Sequence, residues 1–206
     1  MRLPLLLAFV LLAPAAQAQE TAPDVLVKTI TQDVIATIRQ DKDIQAGNPK
    51  KISGLVEAKV LPHFNFARMT QIAMARNWRV ASAEQQRDLI AQFRTLLVRT
   101  YSMALSNYRD QAIDFKPLRA RPEDTEVTVR TEVKQRGAQA ISIDYDMEKT
   151  PAGWKVYDVK VGGVSLVTTY RETFAIEVRD HGVDGLIKVL EAKNGRGEAR
   201  AQSGKT

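Results

Sequence analysis

Apolar positions recur along this chain in two different periods, and the change from one to the other divides it. From Asp24 to Gln40, Val27, Ile30, Val34 and Ile38 fall at spacings of 3, 4 and 4, which is one face of a helix with Asp24 as its cap behind Pro23. Gly47-Asn48-Pro49 breaks the chain, and a second helical pattern from Lys50 aligns Ile52, Leu55, Val56, Val60 and Leu61 before stopping near Pro62. Phe64 to Arg76 repeats the period through Phe66, Met69, Ile72 and Ala73. Ser82 and Gln85 then form a capping box for the helix expected to be the longest. Its stripe of Leu89, Phe93, Leu97, Tyr101, Ala104, Leu105 and Tyr108 predicts a helix lying lengthwise on a sheet.

The period then falls to two. Ile113 to Phe115 is a short strand ended by Pro117. In Thr125 to Gln135, Val127, Val129, Thr131 and Val133 alternate with charged and polar residues, and Ile141, Ile143, Tyr145 and Met147 alternate with Ser142, Asp144, Asp146 and Glu148. Gly137 turns the first of these into the second, and Pro151-Ala152-Gly153 leads into a further strand from Trp154 to Val161. Strands in series after helical material predict an α+β fold, a twisted antiparallel sheet of about four strands packed against several helices.

Gly162-Gly163 ends the last strand, and Val167, Tyr170, Phe174 and Val178 restart helical spacing at once, with Ser165 as a candidate N-cap. His181-Gly182 is a stop, followed by a terminal helix that buries Leu186, Ile187 and Leu190. From Asn194 the chain is Gly, Ser and charge, so residues 194–206 are expected to be a disordered tail after a single domain over 19–193.

Residues 1–18 have the form of an export signal: Arg2, an apolar run from Leu3 to Leu12, Pro14, and the small-x-small site Ala16-Gln17-Ala18. Without a cysteine there, a lipoprotein anchor is not expected. Removing eighteen residues and one arginine from 206 residues of net charge +6 leaves 188 of charge +5, with the charges dispersed rather than in a nucleic-acid-binding block. The absence of cysteine rules out disulfides and thiol catalysis, so in an oxidising compartment the fold must rest on packing.

Catalytic patterns are lacking. His63 and His181 stand apart from metal-type runs, Ser165 lies in G-V-S-L rather than a nucleophile elbow, and no phosphate loop or dinucleotide fingerprint occurs. Asp144 and Asp146 could be paired carboxylates, but alternation places them on the solvent side. The residues alone predict no enzyme and no cofactor, and they leave open whether the apolar stripes form a filled core or enclose a space.

The run G-V-S-L-V-T-T-Y-R-E-T-F at Gly163 to Phe174 resembles the signature of the MlaC, or toluene-tolerance, family. So do W-K-V-Y-D from Trp154, G-V-D-G-L-I-K-V-L from Gly182, L-P-H-F-N-F from Leu61, and N-W-R from Asn77. The resemblance covers nearly all of the chain after the signal, with Asn65 standing where an aspartate is common.

It implies a monomeric periplasmic phospholipid carrier that maintains outer-membrane lipid asymmetry, its acyl chains held in an apolar cavity between sheet and helices. The implied partners are an inner-membrane ABC transporter with an MCE-domain subunit and an outer-membrane lipoprotein-porin complex. A carrier of hopanoid or another hydrophobic ligand, or a periplasmic adaptor that binds no lipid, is the alternative. Tyr101, Leu105, Val164 and Leu166 match the family's pocket region, and Leu97, Val129, Ile141, Ile143, Tyr170 and Phe174 join them as expected lipid-binding residues from the inner faces. The backbone N–H groups of Val164 to Val167 are candidates to attract the lipid phosphate.

Overall fold

The computed structural model describes residues 21–203, with side chains through residue 195. The export signal expected over 1–18 lies outside the described residues. Helix α1, Pro23–Gln40, buries Val27, Val34 and Ile38 on the expected face. Its N-cap position is Ala22, with Pro23 opening the first turn; Asp24 therefore acts as a first-turn acid beside the helix dipole and not as the cap. Asp41 caps a short helix α2, Lys42–Gln45, and Asn48 caps α3, Pro49–Lys59. Helix α4, Phe66–Met74, is capped by Asn65, whose side-chain oxygen accepts from the Arg68 N–H.

Helix α5, Ala83–Ser102, opens on the predicted capping box, with both reciprocal bonds of Ser82 and Gln85 in place. Past Ser102 the backbone tightens into a 3-10 helix, Met103–Asn107, so the apolar stripe outlasts the α-helix itself. Helix α6, Arg171–Ser203, consists of two helical segments meeting at Gly182, whose φ of 71° is non-helical, where His181-Gly182 predicts a stop. The disordered tail expected from residue 194 begins inside this helix. Asn194 is buried, with its amide nitrogen donating to the Gln92 carbonyl oxygen (3.0 Å) and side-chain oxygen (2.8 Å), while its own side-chain oxygen finds no partner among the described residues.

The sheet is a five-stranded antiparallel meander in sequence order, one strand more than expected. The strands are β1 Ala112–Phe115, β2 Glu126–Lys134, β3 Ile141–Thr150, β4 Gly153–Val161 and β5 Val164–Ser165. The additional strand arises at Gly162-Gly163, where both glycines take positive φ (58° and 83°) in a two-residue hairpin that pairs Val161 with Val164. The chain thus makes a hairpin before its helix instead of passing directly from strand to helix. Strand β4 contains a bulge: Met147 pairs with Val156 and Asp146 with Asp158, leaving Tyr157 as an extra residue.

Three apolar clusters hold these layers together. One joins α4, α5 and α6 around Phe93, Leu97, Phe174 and Leu186. A second joins Val27 of α1 to Val129, Met147, Trp154 and Val156 of the sheet. The third packs the far end of α1 on α2 and α3. Helix α5 packs chiefly along α6, not lengthwise on the sheet as its stripe suggests, because part of that stripe borders a space between helix and strands.

Candidate functional site

That space is a partly open apolar cavity, not an enclosed one, of about 290 Å³. Its helical wall comes from Val56 and Val60, Phe66 and Met69 of α4, and Leu97, Val98 and Tyr101 of α5, with Leu105 beyond. The opposite wall is strand: Ile143 and Tyr145 of β3, Val159 and Val161 of β4, closed by Leu166 after β5. Leu61 and Phe64, from the segment joining α3 to α4, complete one side. Among the described residues, no lining side chain carries a charge.

The bulge explains how β4 contributes to this wall. Trp154 and Val156 face the sheet-α1 cluster, and a plain two-residue alternation would turn Val159 and Val161 away. The extra residue restores the phase, so Val159 sits opposite Tyr145, and Val161 opposite Ile143.

Polar atoms inside the cavity wall are few and partnered. Tyr145 lies far from bulk solvent but keeps some accessible surface because it borders the cavity; burial pushes its phenol pKa up, and a bond with the Thr131 side chain offsets part of that shift. The Thr131 hydroxyl itself donates to the Ile143 carbonyl oxygen at 2.8 Å. Burial, followed by the proximity of Tyr170 and a hydrogen bond with it, pushes Tyr101 up to about 12. Ser102 donates back to the Val98 carbonyl oxygen of its own helix. A surface of this kind can shelter hydrocarbon while offering no charged group for proton transfer.

Of the residues expected to bind lipid, Leu97, Tyr101, Leu105, Ile143 and Leu166 come together in this wall. The others lie elsewhere. Val129 and Phe174 are fully packed in the sheet-α1 and helical clusters, Tyr170 stands behind Tyr101, and Ile141 and Val164 are half or more exposed at the end of the sheet. The wall residues Phe64 and Phe66 lie in the L-P-H-F-N-F run; Phe66 falls on the apolar stripe of α4, but no periodic pattern aims Phe64, just before that helix, at the sheet. For Val159 and Val161 the signal is the spacing 154, 156, 159, 161, whose single step of three marks a bulge.

The candidate chemistry elsewhere resolves into structure. Asp146, expected on the solvent side, is buried at 8% exposure, accepting from the Thr128 hydroxyl (2.7 Å) and paired with Lys160 (2.7 Å) on the face away from the cavity. Its burial is tolerated because both oxygens find partners. His181 pairs with Glu177, one turn earlier, and burial followed by Lys155 lowers the His63 pKa. Ser165, expected as an N-cap, lies in β5 instead: the 3-10 turn Thr168–Tyr170 has Val167 at its N-cap position, and the Ser165 hydroxyl accepts from the Thr168 N–H at 2.9 Å as a local turn bond.

The N–H groups at the hairpin end are likewise engaged: Leu166 donates to the Val159 carbonyl oxygen (2.8 Å) and Val167 to the Asp158 carboxylate (3.3 Å). A lipid phosphate there would meet a buried carboxylate, so this segment is not an anion site. Among the described residues no three His, Asp or Glu side chains converge as a metal site, and no helix is long and apolar enough to cross a membrane. A depression of about 680 Å³ near the β3–β4 turn is larger, but Lys149, Lys155 and His63 in its walls make it a poor shelter for hydrocarbon.

Comparison with known proteins gives the cavity a context. Residues 28–192 match the model of the family described as MlaC protein. The chain is 24% identical over 175 residues to the intermembrane phospholipid transport system binding protein MlaC of Haemophilus influenzae, covering 84% of this chain and 82% of that protein. It is 26% identical over 181 residues to the toluene tolerance protein ttg2D of Pseudomonas putida, covering 87% and 82%. Among solved structures, the phospholipid-binding protein from Ralstonia solanacearum in complex with a phospholipid superposes with a TM-score of 0.80 at 42% identity, over 86% of this chain and 99% of that one.

Proposed function

Since this chain belongs to the MlaC family, we propose that it is a periplasmic phospholipid carrier that holds the acyl chains of its cargo in the cavity between α4–α5 and β3–β4. The observation that carries the reading is the uncharged wall of that cavity, supported by the phospholipid bound to the relative from Ralstonia solanacearum. Export is supported by the signal-like residues 1–18. Exchange takes place with an inner-membrane ABC transporter bearing an MCE-domain subunit and an outer-membrane lipoprotein-porin complex, and the protein performs no covalent chemistry on its cargo.

The physical task is shielding. Each methylene moved into water costs about 0.8 kcal/mol, so two chains of about 15 methylenes cost on the order of 20 kcal/mol. The cavity volume lies near the lower end of the roughly 300–1,000 Å³ typical of ligand sites. Leu97, Tyr101, Leu105, Ile143 and Leu166 contact the chains, and the headgroup stays toward solvent, away from the Asp158 carboxylate. Because unaided escape would expose most of that hydrocarbon, release occurs on a docked partner.

Native mass spectrometry of protein purified without detergent, followed by organic extraction, tests the reading. A mass increment that matches a phospholipid supports it. A hopanoid or other increment would assign different cargo, and a protein that stays free of lipid after incubation with vesicles would make it an adaptor.

A further inference from the structure

The two cavity walls meet through apolar contacts, which are non-directional and set no fixed spacing. The spacing is set at the margin, where the chain entering α4 crosses the edge of β4. There Phe64 forms a bridge with Val156, and the Asn65 N–H donates to the Val156 carbonyl oxygen at 2.8 Å. Phe64 and Phe66, on either side of this bond, both belong to the cavity wall. Four residues on, Met69 belongs to it as well.

Arg68 does not face the cavity. Its guanidinium lies over the Tyr157 ring at 3.7 Å, donates to the Glu148 carboxylate of β3 at 2.5 Å, and reaches the Glu126 carboxylate of β2 at 2.7 Å. The Asn65 amide donates to the other Glu148 oxygen at 2.8 Å, and the Tyr157 hydroxyl donates to Glu126 at 3.2 Å. One side chain of the helical wall thus grips three adjacent strands from the side opposite the cavity. A planar fork with two carboxylates and a stacked ring fixes distance and angle, which a single ammonium does not. The Arg68 and Glu148 side chains are 26% and 17% exposed, so water screens this pair less than an ordinary surface pair.

Resting on the phospholipid-carrier reading above, we propose that Arg68 is a positioning residue for lipid binding: by clamping α4 to β2, β3 and the β4 bulge, it sets the separation of the cavity walls and so the rate at which lipid leaves. Arg68 touches no lipid. It acts through Phe64, Phe66 and Met69.

The test measures transfer of a fluorescent phospholipid from the full-length mature protein to acceptor vesicles of neutral phospholipid. Variants are Arg68→Met, which keeps the unbranched apolar stem of the side chain and removes the guanidinium, and Glu148→Gln, which keeps an acceptor for the Asn65 amide. Each is expected to release lipid about five- to tenfold faster, the scale of a partly shielded ion pair in a network. Arg68→Lys is expected to recover part of the loss. Asn48→Ala, which removes the cap of α3 away from the clamp, lowers the melting temperature but leaves release at the wild-type rate.

Wild-type release from both clamp variants, in a protein that does carry lipid, would overturn the clamp alone. So would equal acceleration by Asn48→Ala, which would make stability the cause. A wild-type protein that takes up no phospholipid would overturn the carrier reading and the clamp with it.

Discussion

Tyr101 and Tyr170 lie side by side at the margin of the apolar cavity, one on α5 and the other in the 3-10 turn that precedes α6, close enough for the Tyr170 hydroxyl to help raise the Tyr101 pKa. The Tyr170 ring also meets Phe93 edge to face, with centroids 5.1 Å apart. Replacing Tyr170 by Phe keeps the ring contacts and removes the hydroxyl that Tyr101 faces. Urea unfolding should show a loss of about 1 kcal/mol, with co-purified lipid unchanged because Tyr170 does not reach the cavity. A drop in lipid content would place Tyr170 in the binding wall after all.

The same pair gives an alkaline limit. Burial first, then Tyr170, raises Tyr101 from 10.0 to about 12. A group with a raised folded pKa contributes fully below its unfolded value and loses that contribution as pH rises through the folded one. The melting temperature should therefore begin to fall near pH 10 and decline until about pH 12. Tyr101→Phe should reduce this decline. Tyr157, also raised to about 12 by burial and then by Glu126 and Asp146, accounts for a residue of it. An identical decline in Tyr101→Phe would remove Tyr101 as a cause.

Phe174 and Val164 should separate sharply. Phe174 is 2% exposed in the helical cluster and Val164 is 61% exposed. Phe174→Ala should cost about 3–5 kcal/mol and Val164→Ala no more than about 0.5 kcal/mol, both read by chemical denaturation. Similar costs would contradict the placement of the two side chains.

Ile143 and Ile141 share a strand face, but only Ile143 lines the cavity. Ile143→Trp puts bulk into the space and should reduce bound phospholipid severalfold, at an overpacking cost of about 1–3 kcal/mol. Ile141→Trp, at a half-exposed position, should leave bound lipid as it is. Extraction and quantification of lipid from the purified variants decides.

Ala75, at the end of α4, holds φ 48° and ψ −127°, where a side chain is strained. Ala75→Gly should raise stability by roughly 0.5–1 kcal/mol, the relief of strain exceeding the added freedom of the unfolded chain. A lower melting temperature would show that the methyl group is needed in its packing.

The helices and the alternating strands were legible because local spacing determines them: Val27, Val34 and Ile38 are buried together as their period demands, and Ser82 with Gln85 marks the start of α5 to the residue. The cavity was legible only in half. Leu97, Tyr101 and Ile143 sit on faces that local spacing identifies as apolar, but the same spacing describes Val129 and Phe174, which are packed solid. Whether an apolar face meets another face or an empty volume depends on the distance between elements, and no local pattern encodes that distance. Asp146 fails for a related reason: alternation gives its side of the sheet, while Lys160 and Thr128, from two neighbouring strands, decide that it is buried.

The bulge in β4 has a consequence for how the gene can change length. A residue lost within a paired strand ordinarily rotates everything beyond it by half a turn, exchanging inside for outside. At Tyr157 the strand already carries one residue more than its partner. Its deletion would leave Val156 and Val159 on their present side, with the Asp146–Lys160 pair still facing the other way. What would vanish is the platform beneath Arg68. Position 157 is thus a place in mid-strand where a single codon can be lost without scrambling the sheet, its absence being felt in the grip on α4 alone.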